Sequence, residues 1–134
     1  MTNTIKKEIG QLIIAGFRGN SINKNSDIVK YIKDFNIGGV ILYDEDLEIG
    51  GPGSRNITSP KQLKELTEKL QGYAEKSLLI SVDQEGGEVH RLKSLYGFTD
   101  TPPWKQIGLL DSELMTRQFS DNIAFDLSKA GINL

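Results

Sequence analysis

Residues 77–92 read SLLISVDQEGGEVHRL, and their change of character at Asp83 decides the fold. The first part, SLLISVD (77–83), is a short apolar run that reads as a strand buried on both faces. The chain then sets Asp83, Glu85, Gly86, Gly87, Glu88, His90 and Arg91 within nine positions. A buried strand that opens into a polar, glycine-bearing loop is how a parallel sheet presents a ligand, at the C-terminal ends of its strands.

Working outward, the same kind of strand recurs. QLIIAGF (11–17) and IGGVILY (37–43) are further apolar runs closed or opened by glycine. Between them Ile28, Ile32 and Phe35 follow a Ser26-Asp27 start at helical spacing. A second helix is expected after Ser59, with Pro60 at its first position and Leu63, Leu66, Leu70 and Tyr73 as one stripe. A third begins near Ser112, carries Met115, Phe119, Ile123 and Leu127, and stops at Gly131. INL (132–134) opens a fourth strand. Strands alternating with amphipathic helices make right-handed βαβ units and a parallel sheet, in a doubly wound sheet or an eight-stranded barrel. In either, Asp83, RGN (18–20) and DED (44–46) fall on one rim.

The composition sets bounds. At 134 residues the chain is one domain, residues 1–134, with 25% charged and 37% apolar residues. A net charge of -2 without a basic stripe gives no case for nucleic acid or an anionic membrane. With no cysteine and a single histidine, thiolate zinc sites and histidine-rich metal centres are excluded, and no cofactor is expected. The N-terminal apolar run is too short to span a bilayer and lacks a signal-peptide pattern, so the chain reads as cytoplasmic.

The loops admit competing readings. EIGGPGSRN (48–56) lacks the Gly-Lys-Ser/Thr ending of a phosphate loop and reads as a long flexible loop. In the loop after Val82, Gly86 and Gly87 permit positive φ and close approach to a ligand. Asp83 offers acceptors for neighbouring hydroxyls, and Arg91 a rigid fork of donors. That suits a hydroxyl-rich substrate, while a solvated turn with an Asp–Arg salt bridge stays open beside it. Asp83 and Glu85 approach the spacing of a glycosidase carboxylate pair, but the glycines end the strand near Glu85 and make the two side chains diverge. His90 reads as a half-buried loop histidine rather than a base, since no nucleophile is paired with it. Trp104, after Pro102-Pro103, reads as a core aromatic or, less simply, a platform for a sugar ring.

At these residues the chain resembles the N-terminal part of a family-three glycoside hydrolase, closest to the bacterial β-N-acetylhexosaminidases. The segments GGVILY, SPKQLKELTEKLQ and LLISVDQEGGEVHRL carry the likeness, and Asp-Gln-Glu-Gly-Gly-x-Val-x-Arg is its specific motif. The resemblance runs from IGQLIIAGF to DLSKAGINL. It implies an α/β fold, the N-terminal half of a TIM-type (β/α)8 barrel with about three βα units and the start of strand four. It also implies that Asp83 and Arg91 bind the sugar before the scissile bond. Glu88 stands where the family carries a basic residue.

The family's acid/base histidine and aspartate nucleophile belong to later loops, so neither His90 nor Asp83 is expected to fill those roles, and no catalytic residue is assigned. The implied activity is half of a retaining β-N-acetylhexosaminidase acting on terminal N-acetylglucosamine of glycosides such as peptidoglycan fragments. The chain alone is expected to be inactive and to self-associate through open sheet edges or the inner face. Two alternatives are a non-catalytic sugar-binding remnant and an unrelated α/β domain for a phosphorylated ligand.

Overall fold

The computed structural model describes residues 3–134. Helix α1 (Asn3–Gly10), strand β1 (Ile14–Gly16), α2 (Asp27–Phe35), β2 (Gly39–Leu42), α3 (Pro60–Tyr73) and β3 (Leu79–Val82) alternate along the chain. A short pair, β4 (Gln84–Gly86) and β5 (Val89–His90), comes next, then a single 3₁₀ turn at Ser94–Tyr96. Helices α4 (Trp104–Leu109) and α5 (Glu113–Ala130) complete the order.

Local chemistry sets the helix ends. The Ser59 hydroxyl accepts from the Gln62 N–H, and Pro60 occupies the first turn, where its missing donor costs nothing. Gln62 reaches back in turn, its Oε1 accepting from the Thr58 N–H at 2.9 Å. Ser112 caps α5 by accepting from the Met115 N–H, and Gly131 ends it. In α2, Asp27 in the first turn and Lys33 in the last complement the helix dipole.

The sheet runs β1-β2-β3, all parallel, with Val40 opposite Ala15 and Ile80. Alternation along the strands divides its two faces. Val40, Leu42 and Ile80 are fully buried in one cluster with Ile28, Val29 and Ile32 of α2 and Leu63, Leu66 and Leu70 of α3. Each such side chain contributes about 1.5–3 kcal/mol by leaving water. Helix α2 packs on α3, and α3 on α5. Helices on one face of a sequentially ordered parallel sheet form the wall of a (β/α)8 barrel, not a doubly wound sheet.

The other face corrects the expectation of strands buried on both sides. Ile14 and Leu79 are 45% and 43% exposed, because none of the described helices covers the side that faces a barrel's interior. Two helix stripes are also less buried than their spacing suggests. Phe35 is 52% exposed, and α5 meets the core only through Leu127 and Ala130 in its last turns, leaving Met115 at the surface.

Residues 132–134 do lie along the free edge of β3, although they form no regular strand. The Asn133 and Leu134 N–H groups both donate to Ile80 O, at 3.0 and 3.1 Å. The Asn133 side chain extends the ladder: its Oδ1 accepts from Ile80 N–H at 2.7 Å, and its Nδ2 donates to Leu78 O at 3.1 Å. Asn133→Ala is expected to cost about 1–3 kcal/mol in urea unfolding, because it orphans the Ile80 donor beside the core.

Candidate functional site

The C-terminal ends of the three strands meet at one rim, where β3 gives way to the hairpin. Gln84 makes the turn possible. Its Oε1 accepts from the backbone N–H groups of Arg91 and Leu92, at 3.0 and 3.1 Å, and so folds β5 back onto β4. Asp83, between β3 and β4, thereby comes to face Arg91, with Oδ2 3.5 Å from Nη2. The two residues singled out from the sequence are together at the rim.

The glycine pair serves a different end from the one expected. Gly86 and Gly87 do have positive φ, +77° and +63°. A side chain on Gly86 would place Cβ 2.4 Å from Pro102 O, and one on Gly87 would meet Pro103 Cγ at 2.5 Å. The Gly87 N–H donates to Thr101 O at 3.2 Å. The close approach is thus to the chain's own segment 101–103, not to a ligand.

Behind the rim lies a buried carboxylate. Asp44 directly follows Tyr43 at the end of β2 and is 0% exposed. Its Oδ2 accepts from Lys93 Nζ at 2.6 Å and from the Tyr96 hydroxyl at 3.2 Å. Burial by itself would lower the Lys93 ammonium, but hydrogen bonds to Asp44 and Glu45 override it and hold the group above the usual lysine range. Burial, and then the charge on Asp44, push the Tyr96 phenol up. Lys93 and Tyr96 therefore both keep their protons at neutral pH. The Tyr96 oxygen also accepts from the Gly53 N–H at 2.8 Å.

Next to this group a cleft of about 480 Å³ opens, lined among others by Tyr43, Glu45, Leu47, Arg55 and Arg91. The Tyr43 ring attracts two guanidinium groups: Arg55 lies 4.7 Å and Arg91 5.7 Å from its centroid. Arg55 is held by donating from Nε to Phe17 O at 3.0 Å. The loop 44–56 is accordingly anchored rather than free. Asp46 pairs with Arg18, Gly53 with Tyr96, and Asn56 accepts from the Tyr43 N–H while donating to Phe17 O and Gly19 O.

Chemically, the rim combines two part-exposed carboxylates, Asp83 and the Lys93-bound Glu45, with a fork of donors and an aromatic surface, a set suited to a polyhydroxylated ring. A larger cleft of about 620 Å³ beside β1 is lined mainly by apolar side chains, among them Ile9, Ile13 and Phe35, and presents no carboxylate to such a ligand. Glu85 sits in β4 and is exposed. Glu88 is exposed, and His90 is half-buried with Nδ1 lacking a partner among the described residues. Trp104 is 42% exposed at the start of α4, which corrects its reading as a core aromatic: the rigid Pro102-Pro103 segment packs on the glycines and leaves the indole outside. No role was assigned from the sequence to Tyr43, Arg55, Lys93 or Tyr96, although Tyr43 lies in the GGVILY segment and Asp44, at the end of that apolar run, was a visible signal.

Comparison with known proteins gives the family to which this fold belongs. The family model for the glycosyl hydrolase family 3 N-terminal domain matches residues 4–134. The chain is 36% identical over 104 residues to a β-hexosaminidase of Nitrosomonas eutropha, covering 73% of this chain and 26% of that protein. It is 37% identical over 103 residues to one of Methylobacillus flagellatus, again over 26% of the relative's length. Among solved structures, a family 3 β-N-acetylglucosaminidase from Paenibacillus sp. str. FPU-7 superposes with a TM-score of 0.82 at 32% identity, over 99% of this chain and 23% of that one. NagZ from Neisseria gonorrhoeae, in complex with N-trifluoroacetyl-D-glucosamine, superposes with a TM-score of 0.70 at 28% identity, over 90% of this chain and 33% of that one.

Two outcomes test the site's construction. Gly86→Ala should lower stability in thermal unfolding by about 2–4 kcal/mol, combining positive-φ strain with a clash against backbone. The Asp46 carboxyl is held below its ordinary value of 3.8, first by the Arg18 hydrogen bond. A depressed folded-state value means the anchor stabilises above the usual carboxylate range and is lost as pH falls through the folded value. The Asp46 midpoint in carboxyl ¹³C NMR titration should therefore lie below 3.8 and return toward it in Arg18→Ala.

Proposed function

Because the chain belongs to glycosyl hydrolase family 3, we propose that its strand-end rim grips the terminal N-acetylglucosamine of glycosides such as peptidoglycan fragments. Asp83 accepts from neighbouring ring hydroxyls, and Arg91 donates across the same ring from the cleft wall. The observation that carries the reading is the 3.5 Å approach of these two side chains at the strand-end rim, created by the Gln84 clamp, with Arg91 also lining the cleft. Neither side chain is buried in that contact, so both can exchange it for a ligand: Arg91 is 25% and Asp83 42% exposed.

The chain spans 26% of the Nitrosomonas relative's length, and in our reading it supplies positioning rather than bond breaking. A retaining glycosidase attacks the anomeric carbon with a carboxylate and then hydrolyses the glycosyl-enzyme, with a second group protonating the leaving oxygen. The rim's own acids do not form that pair. Asp44 is held by Lys93 and Tyr96, Glu45 in the cleft wall is bound by Lys93, and Glu85 is exposed in β4. We assign the acid/base and nucleophile to parts of the family's barrel other than these 134 residues. The half-exposed inner face at Ile14 and Leu79, with the edge of β1 unpaired among the described residues, supports a second element of the proposal, self-association of the isolated chain.

N-acetylglucosamine titrated into the 134-residue chain should perturb the NMR signals of Asp83 and Arg91, and Asp83→Ala should weaken binding about tenfold or more. A chromogenic N-acetylglucosaminide should not turn over. Turnover, or sugar binding indifferent to Asp83, would overturn the assignment. Light scattering should show an average mass above that of one chain at micromolar concentration, and a monodisperse monomer would exclude the self-association.

A further inference from the structure

The rim contains a buried carboxyl group that sugar binding does not use. Asp44 is wholly buried and cannot touch a ligand, yet it is the point on which the surrounding cations converge. Lys93 Nζ and the Tyr96 hydroxyl both donate to Oδ2, at 2.6 and 3.2 Å. Arg91 Nη1 stands 3.6 Å from Oδ1, within ion-pair range but outside hydrogen-bonding distance. Among the described residues Oδ1 has no hydrogen-bond partner, and neither has the buried Nε of Arg91.

Arg91 therefore hangs between two carboxylates at nearly equal distance, Asp44 at 3.6 Å behind and Asp83 at 3.5 Å in front. Neither contact consumes its donors. A charge-assisted guanidinium–carboxylate bond closes to about 2.8 Å when nothing opposes it. Here both contacts stay longer than that. Lys93 does not need Asp44 for neutralisation alone, since Glu45 accepts from it at 3.0 Å.

We infer that Asp44 is a positioning residue for Arg91: it holds the guanidinium off Asp83, so that the Asp83 oxygens stay open to ring hydroxyls and the Arg91 fork stays open to the sugar. The inference rests on the sugar-binding role proposed above. Without the charge at position 44, Asp83 is the nearest carboxylate left to Arg91, and Lys93 repels it forward. The two sugar-binding groups then bind each other.

The test is Asp44→Asn in the 134-residue chain, with two readouts. N-acetylglucosamine affinity should fall about tenfold. Independently of sugar, side-chain ¹⁵N NMR should show rotation of the Arg91 guanidinium slowed by a bidentate bridge to Asp83, and the slowing should vanish in Asp44→Asn/Asp83→Asn. A purely structural role would lower the melting temperature without creating that Arg91–Asp83 signature. Tyr96→Phe keeps the charge but removes one donor that fixes it, and should weaken sugar binding about threefold with the fold intact. Asp44→Asn with wild-type affinity and unchanged Arg91 signals overturns the inference. If Asp44→Asn does not fold, Tyr96→Phe with wild-type affinity and signals does so. If no sugar binds to the wild-type chain but the Arg91 signature appears, the sugar-binding role fails and the positioning stands.

Discussion

Parallel strands can be joined only by crossovers, and each crossover returns the chain to the same starting end of the sheet. In this protein that constraint brings Phe17, Tyr43 and Asp83, each just past the end of its strand, to a single rim. The burial of Val40, Leu42 and Ile80 against α2 and α3 keeps the strands in register and so keeps the rim in register. Residues distant in sequence can then share hydrogen bonds, as Arg55 and Asn56 do with Phe17 O. The site is a consequence of the sheet's direction before it is a consequence of any motif.

Burying Asp44 at that rim sets the next requirement. An uncompensated carboxylate out of water costs several kcal/mol, so its neighbours must supply charge and donors. Lys93 and Tyr96 come from the segment after the hairpin, which ties that segment to the end of β2. Tyr96 passes the restraint on to Gly53 and thus to the glycine-rich loop. One buried charge thereby fastens three separate pieces of chain, and Arg91 is placed among them with its donors unspent.

Much of this was legible in the one-dimensional pattern. The Ser59-Pro60 start of α3 and its Leu63, Leu66 and Leu70 stripe appear where the periodicity puts them, because capping and burial are local to a helix. The apolar runs at 39–42 and 79–82 form neighbouring parallel strands. Asp83 and Arg91 were identifiable as an acceptor and a donor of matching chemistry, and they do meet. Less legible were α1, the hairpin, and the exposure of Trp104 and Met115. An aromatic after two prolines, or a stripe at helical spacing, shows which face is apolar but not whether anything packs on it.

The linear order of residues by itself determined the alternation of strands and helices, their parallel direction, and the polar character of the segment after β3. These depend on contacts within a few turns of chain or on the handedness of crossovers, which are the same in any setting. Only the tertiary structure decided that the glycine pair receives segment 101–103, that one sheet face stays open, and that Arg91 stands between Asp44 and Asp83. Those outcomes turn on distances between groups far apart in sequence, and a few tenths of an ångström there separate a free donor from a spent one.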